Sequence, residues 1–178
     1  MAIIDCALNT SFPLDCKNSK GGIKKIGFAV FSDVLSMDGA SAPTNASGII
    51  TAWPGAAGKF YMYAVRSSIA TGSNKRTTNK ANGTTFSAPA LTTQLEKLNA
   101  ATSQELKKLE GNRVFAIVYD RNGKIWLMGA HNGMDVTEIN EEFGTAMGDF
   151  NGYKITLAGE EEQPMYELSS GIVAALFT

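Results

Sequence analysis

The sequence predicts a mainly β protein in which two packed antiparallel sheets, forming a β-sandwich or a small barrel, are flanked by one α-helix. Most of the chain alternates apolar and polar residues or runs in short apolar bursts broken by Gly and Asn, which is typical of strands. One hairpin and one helix carry clear local signals. A chain of 178 residues with 44% hydrophobic content is long enough for one sizeable core. We therefore expect an extended N-terminal arm at residues 1–20 and a single β-sandwich domain at residues 21–178.

The clearest hairpin joins two apolar runs through the turn Asp120-Arg121-Asn122-Gly123. The Asn-Gly pair tolerates the positive φ angles that a tight reversal requires, so the two runs should pair antiparallel. In another run Pro89 favours an edge strand or a bulge, because proline donates no ladder hydrogen bond. The predicted strands are residues 23–31, 49–53, 60–66, 84–95, 113–119, 124–130, 153–158, 165–168 and 172–177.

The one good helix signal begins at Thr102 and Glu105, whose spacing fits a capping box. Leu106 and Leu109 then share one helix face, and Gly111 is expected to end the helix in the left-handed conformation. Such a helix would cover one open end or side of the sheets.

Three polar stretches are too long for simple turns, and we expect them to be loops: residues 32–47, 67–83 and 134–151. The middle loop carries Lys75, Arg76 and Lys80 and has almost nothing to bury. Three interpretations stay open for it: a flexible basic arm that orders against a neighbouring subunit, a hairpin tip that extends past the sheet, or a solvated mobile loop.

Charge is distributed unevenly along the chain. Residues 1–134 hold fifteen Lys and Arg against eight Asp and Glu, whereas residues 135–178 hold Lys154 alone against nine acids. Such a pattern can steer a molecule onto another copy of itself, unless the charges simply intermingle on one domain surface and cancel. The acids Glu138, Glu141 and Glu142, like residues 160–162, are expected to be solvated because like charges repel.

Catalytic motifs are absent from the sequence. His131 lies in a turn-like Ala-His-Asn-Gly stretch, and neither a nucleophile elbow nor a phosphate-binding loop is present. Cys6 and Cys16 are too few for a disulfide framework or a zinc site, so free thiols are expected. We therefore expect no enzymatic activity, no cofactor and no metal site.

Two further classes of partner are disfavoured by composition. No apolar run approaches the roughly 20 residues that span a bilayer, so membrane insertion is not expected. The basic stretch lacks interleaved aromatic residues, and the net charge of −1 opposes general affinity for phosphates.

Three stretches of the chain resemble a known family. Residues 15–26 (DCKNSKGGIKKI), 122–129 (NGKIWLMG) and 144–153 (GTAMGDFNGY) are similar to virion proteins of tailed bacteriophages that infect Bacteroidetes, and within that family to major tail tube proteins. The resemblance covers most of the chain, but its motifs are structural Gly, Asn and aromatic positions.

The resemblance implies a β-sandwich with a flanking helix, six copies of which close a ring through edge-to-edge sheet contacts. Stacked rings would form a hollow tail tube that conducts DNA. The implied location is the virion, after synthesis in the host cytoplasm. The implied partners are further copies of the chain, other tail proteins such as the tape measure, terminator and baseplate or hub, and DNA that passes without specific binding.

On this hypothesis, particular residues acquire structural roles. The arm 1–20 and the loop with Lys75, Arg76 and Lys80 would reach neighbouring subunits. The acids of the region 135–142, namely Asp135, Glu138, Glu141 and Glu142, would line the lumen.

Other functions remain open at this stage. A head–tail joining or head-decoration protein would share the composition and the lack of catalysis. A carbohydrate-binding β-sandwich would use Trp53, Tyr61 and Tyr63 as sugar platforms.

Overall fold

The computed structural model describes residues 11–14, 16–34, 48–53, 55–66 and 69–177. Within these ranges the fold is mainly β, with two open antiparallel sheets and two helices. The strands are β1 Ile23–Val30, β2 Tyr61–Ala64, β3 Thr71–Asn79, β4 Thr84–Glu96, β5 Val114–Asp120, β6 Ile125–Met128, β7 Asp135–Glu142, β8 Gly152–Ala158 and β9 Tyr166–Glu167, and the helices are α1 Ala100–Glu110 and α2 Ser170–Leu176. The predicted sandwich class is confirmed.

The first sheet has the order β2-β1-β5-β6-β9 and is buried on both faces. Its central strand β5 alternates between two apolar clusters. Val114, Ala116 and Val118 face an inner cluster between the two sheets, whereas Phe115 and Ile117 face an outer cluster on the opposite side. The outer cluster is closed by α2 and by the segment that precedes β2.

The second sheet has the order β3-β4-β8-β7 and uses only one face for the core. Leu91 of β4 and Ile155 and Leu157 of β8 are buried in the inner cluster.

Pro89 lies one residue beyond the stretch of β4 that pairs with β8, which begins at Ala90. The chain after β8 still accompanies β4 there, because the N–H of Gly159 donates to the carbonyl of Pro89 at 3.0 Å. Ser87 also exchanges two hydrogen bonds with Glu161. β4 is an inner strand of the sheet, so the edge position expected for Pro89 is wrong, and the proline removes one donor from the ladder.

Helix α1 closes one side of the sandwich, with Leu106 and Leu109 buried in the inner cluster. The predicted helix start and stop are both wrong in detail. The helix begins at Ala100, because the side chain of Asn99 accepts the backbone N–H of Thr102 at 2.7 Å. Gly111 has a φ of −77° and is right-handed, so no left-handed stop occurs there.

Helix α2 replaces the strand predicted at residues 172–177, so the domain has two helices and not one. Ser169 is its N-cap, and Val173 and Leu176 are buried one helical turn apart in the outer cluster. A short apolar run fits either a strand or a buried helix, and packing against the first sheet selected the helix.

Two of the three predicted loops contain strands. Residues 67–83 hold β3 and residues 134–151 hold β7, each hydrogen-bonded to one neighbour over its length. Sequence periodicity missed both because each lies at a sheet edge and exposes most of its side chains. Of the interpretations for residues 67–83, the hairpin is therefore correct. The third loop falls mostly on residues 35–47, and much of the predicted arm on residues 1–10, outside the described residues.

The burial of β5 on both faces generates a stability prediction. Replacing fully buried Ile117 with Ala should lower the free energy of unfolding by about 2–5 kcal/mol, because it leaves a cavity in the outer cluster. Urea unfolding followed by tryptophan fluorescence measures the loss. The control is Ile139→Ala in partly buried β7, which should cost clearly less; equal losses would contradict two-sided burial of the central strand.

Candidate functional site

The second sheet ends in two long edges that have no further partner among the described residues. β3 contributes nine residues at one edge and β7 contributes eight at the other. Each edge exposes a row of unpaired backbone N–H and C=O groups, which is a template for adding another strand. In a monomeric protein, such edge strands are usually short or are covered by another element.

The β3 edge is basic. Residues 71–79 contain Lys75 and Arg76 and no acid, and Lys80 follows directly in the hairpin tip. Lys75 pairs with Ala88, which places it on the exposed outer face of the sheet, while Arg76 pairs with buried Ser87 and takes the opposite face.

The β7 edge is acidic and contains no base. Asp135, Glu138 and Glu142 pair with Ala158, Thr156 and Gly152, so strand register places these three acids on the outer face. Glu141 instead pairs with buried Tyr153 and points toward α1, where the hydroxyl of Ser103 donates to its carboxylate at 3.5 Å. The structure therefore groups three of the four predicted lumen acids and separates Glu141 from them.

The charges of both edges remain available to an external partner. Ion pairs among the described residues join Arg66 to Glu96, Lys108 to Glu105 and Lys124 to Glu167. None of them uses a charged residue of β3 or β7. The two edges are thus complementary to each other but are held apart by β4 and β8.

The outer face of the second sheet carries mostly small or polar side chains. Between the edges it presents Ala88, Ala90, Thr92 and Gln94 of β4 and Lys154 and Thr156 of β8. A large apolar side chain on the same face, Phe86, is 38% exposed near the hairpin tip. A face without a large apolar patch suits contact with water rather than with a protein partner.

The turn between β7 and β8 carries two exposed apolar side chains. Phe143 is 77% exposed and Met147 is fully exposed. The carboxylate of Asp149 orders this turn by accepting the backbone N–H groups of Ala146 at 2.7 Å and Thr145 at 2.8 Å. These two hydrogen bonds hold the pKa of the Asp149 carboxyl below its ordinary value. Sequence reasoning singled out the acids of this region and missed Phe143, an isolated aromatic residue in a polar stretch.

His131 belongs to a structural cluster. Its Nε2 atom lies 3.0 Å from the hydroxyl of Tyr166, and Glu161 accepts the backbone N–H groups of His131 and Asn132 at 3.0 Å each. Burial, and secondarily the charge of Glu161, raises the pKa of the Tyr166 hydroxyl. The expectation that residues 160–162 are all solvated is wrong for Glu161, which is 5% exposed because its carboxylate caps this loop.

The proposed sugar platform is not assembled. Trp53 is buried in the outer cluster against Phe60 and Phe115, whereas Tyr63 packs against the inner cluster and Tyr61 is exposed on β2. Trp53 and Tyr63 thus contribute to different cores; Tyr61 and Tyr63 line one pocket, but Trp53 lies away from it and the three rings do not form one platform.

Two other kinds of site are absent from the described residues. No three His, Cys, Asp or Glu side chains there are grouped so as to hold a metal ion. Neither of the two helices described is long and apolar enough to cross a membrane.

The buried carboxylate of Glu161 generates a second stability prediction. Glu161→Ala should lower the free energy of unfolding by about 1–3 kcal/mol, because two backbone N–H groups lose their acceptor. Glu161→Gln keeps one side-chain oxygen and should lose less. The control is Glu162→Ala at an exposed position, which should be nearly neutral in the same thermal unfolding measurement. A neutral Glu161→Ala would refute the capping role.

Comparisons with known proteins give little similarity. No family model matches the chain, and no curated protein matches it. Among solved structures, a chain of the "Virion of native gene transfer agent (GTA) particle" is similar with a TM-score of 0.39 and 8% sequence identity, over 61% of this chain and 89% of that chain. A similarity of this strength carries no argument about fold or function.

Proposed function

We propose that this chain is a structural virion protein whose copies join side by side into rings, and that the rings stack into the tube of a phage tail. The observation that carries the proposal is the pair of long, unpaired and oppositely charged edges on one sheet. The resemblance of residues 15–26, 122–129 and 144–153 to tail tube proteins supports the same function.

Strand direction favours a cyclic assembly. Each strand of the second sheet runs antiparallel to its neighbour, so β3 and β7 point in opposite directions. Rotation about an axis roughly parallel to the strands brings β7 of one copy beside β3 of the next. Because this rotation keeps each strand's direction, the new pair is antiparallel. The four-stranded sheets then continue one another, and a closed ring leaves no free edge.

Charge supplies orientation to this contact. Lys75 and Arg76 of one copy meet the acids of β7 in the next copy, whereas β3 against β3 or β7 against β7 brings like charges together. Exposed cross-strand ion pairs are worth only about 0.2–1 kcal/mol each. Their main effects are therefore to select the partner edge and to speed association, while the backbone ladder holds the pair.

The outer face of the second sheet forms the channel wall in this assembly. It carries Asp135, Glu138 and Glu142 against Lys75 and Lys154 in each copy, and Glu96 is already paired with Arg66. A polar wall with an excess of acids offers DNA no cationic surface to bind by counterion release. DNA passes such a wall without specific contacts.

Ring stacking is supported by the β3–β4 hairpin. The chain after β8 accompanies β4 as far as Ser87, and the hairpin extends beyond this point and places Lys80 at its tip. This projection along the strand direction is available to the next ring. On this proposal the protein is not an enzyme, and its partners are further copies, other tail proteins and the transported DNA.

A charge-swap experiment tests the lateral contact. Lys75→Glu with Arg76→Glu makes both edges acidic. Asp135→Lys with Glu138→Lys and Glu142→Lys reverses the three outer-face acids of β7 and makes both edges basic. Each variant alone should assemble only at a concentration at least about tenfold higher than the wild type. An equimolar mixture should recover assembly, because the two variants can alternate around a ring with an even number of copies. Light scattering across a concentration series measures this.

Lys24→Glu with Lys25→Glu, an exposed basic pair on β1, is the matched control and should assemble like the wild type. Full assembly of either edge variant alone would contradict the pairing of β3 with β7. Negative-stain microscopy of the wild type separates the candidate functions: tubes support the tail tube, whereas a single closed ring at every concentration favours a head–tail joining protein.

A further inference from the structure

The domain carries a largely apolar groove at the β3 edge of the second sheet, whereas the exposed Phe143 follows β7 at the other edge. The groove has a volume of about 400 Å³ and lies beside the start of β3, between the two sheets. Its apolar lining comes from both sheets and from the segment before β9, and includes Ile23, Ala70, Val118, Trp126, Met128 and Met165. Lys20, Asp120 and Asn122 also line the groove.

We propose that Phe143 of one copy inserts into this groove of the next copy, and that this contact seals the lateral interface of the ring. The inference rests on the proposed function, because it takes the copies to be related by pairing of β3 with β7. It adds one apolar anchor, the contact between the Phe143 side chain and the groove, to an interface otherwise formed by backbone hydrogen bonds and ion pairs.

The two features lie toward the same end of the second sheet. Phe143 follows the last residue of β7, whose partner Gly152 pairs with Glu96 at the end of β4. The groove opens at the start of β3, where Thr71 and Gly72 pair with Thr92 and Leu91 in the same half of β4. In an antiparallel pair the end of β7 meets the start of β3, and the strand stagger that barrel closure requires absorbs the remaining offset.

The two features also lie in the same layer. Glu142 is on the outer face of the sheet and Phe143 directly follows the strand. Alternation that continues by this one residue turns Phe143 to the side of the first sheet, and the proposed contact requires it. The groove opens in this layer, because β3 forms one wall and β6 the other. A knob and a groove at separate places on one molecule make a head-to-tail contact, which closes into rings or continues as a filament.

Phe143 cannot reach the groove of its own chain. β4 and β8 lie between β7 and β3, so the two edge strands are about 14 Å apart across the sheet. A contact between Phe143 and the groove is therefore diagnostic of a second copy.

The energetic test compares two exposed aromatic residues. Phe143→Ser should raise the concentration for half-maximal assembly about tenfold or more, the effect expected from losing a buried aromatic side chain. Tyr61→Ser removes an aromatic residue that is 61% exposed on β2 of the other sheet and should leave assembly within about twofold of the wild type. Circular dichroism checks that both variants fold. Unchanged assembly of folded Phe143→Ser would overturn the inference.

A photo-cross-linking test locates the contact. The full-length protein with p-benzoyl-phenylalanine at position 143 is mixed with ¹⁵N-labelled wild type, irradiated and mapped by mass spectrometry. Cross-links from position 143 to Trp126, Met128 or Met165 of the labelled copy are expected, and the same probe at position 142, on the other face of β7, should not give them. Cross-links elsewhere, or none, would overturn the inference.

The two tests separate this inference from the proposed function. Rings or tubes that form without the cross-link to the groove retain the function and remove the anchor. Cross-linking to the groove in short open chains, with neither rings nor tubes, retains the anchor and removes the function.

Discussion

Five consecutive buried residues in β5 set the architecture of this domain. A strand that is apolar at every position needs cover on both faces, so the first sheet is packed between the second sheet on one side and α2 with its neighbouring segment on the other. The second sheet therefore covers one face of the first sheet. Its inner face completes the core, and its outer face and both edges are left for other contacts.

The two free edges of the second sheet are unusual for a monomeric protein. Two strands of eight and nine residues with unpaired backbones would promote uncontrolled association in an isolated protein. In the proposed assembly, opposite charge on the two edges directs this association, because only unlike edges attract. The small polar side chains of the outer face agree with a sheet that continues sideways and is bathed by water on one side.

The side chains of His131, Tyr166, Glu161 and Asp149 make hydrogen bonds that order loops of the fold. His131, Tyr166 and Glu161 form a linked set in which one nearly buried carboxylate satisfies two backbone donors of a tight loop. Asp149 does the same for the turn that presents Phe143. In both places a carboxylate accepts backbone N–H groups of a loop, but Asp149 remains exposed, whereas Glu161 is buried and so departs from the solvated acid run at residues 160–162.

The sequence by itself determined the β class, the antiparallel hairpin around Asn122 and Gly123, and the separation of basic and acidic stretches, because strand alternation, turn chemistry and charge are local properties of the chain. Only the tertiary structure decided that β3 and β7 are strands at opposite edges of one sheet, that residues 170–176 are a helix, and that Glu161 is buried. The partner of an edge strand lies far away in sequence, and a polar strand leaves no apolar period to detect. Fold class therefore followed from local pattern, whereas the candidate interface depended on which strands the long-range packing left unpaired.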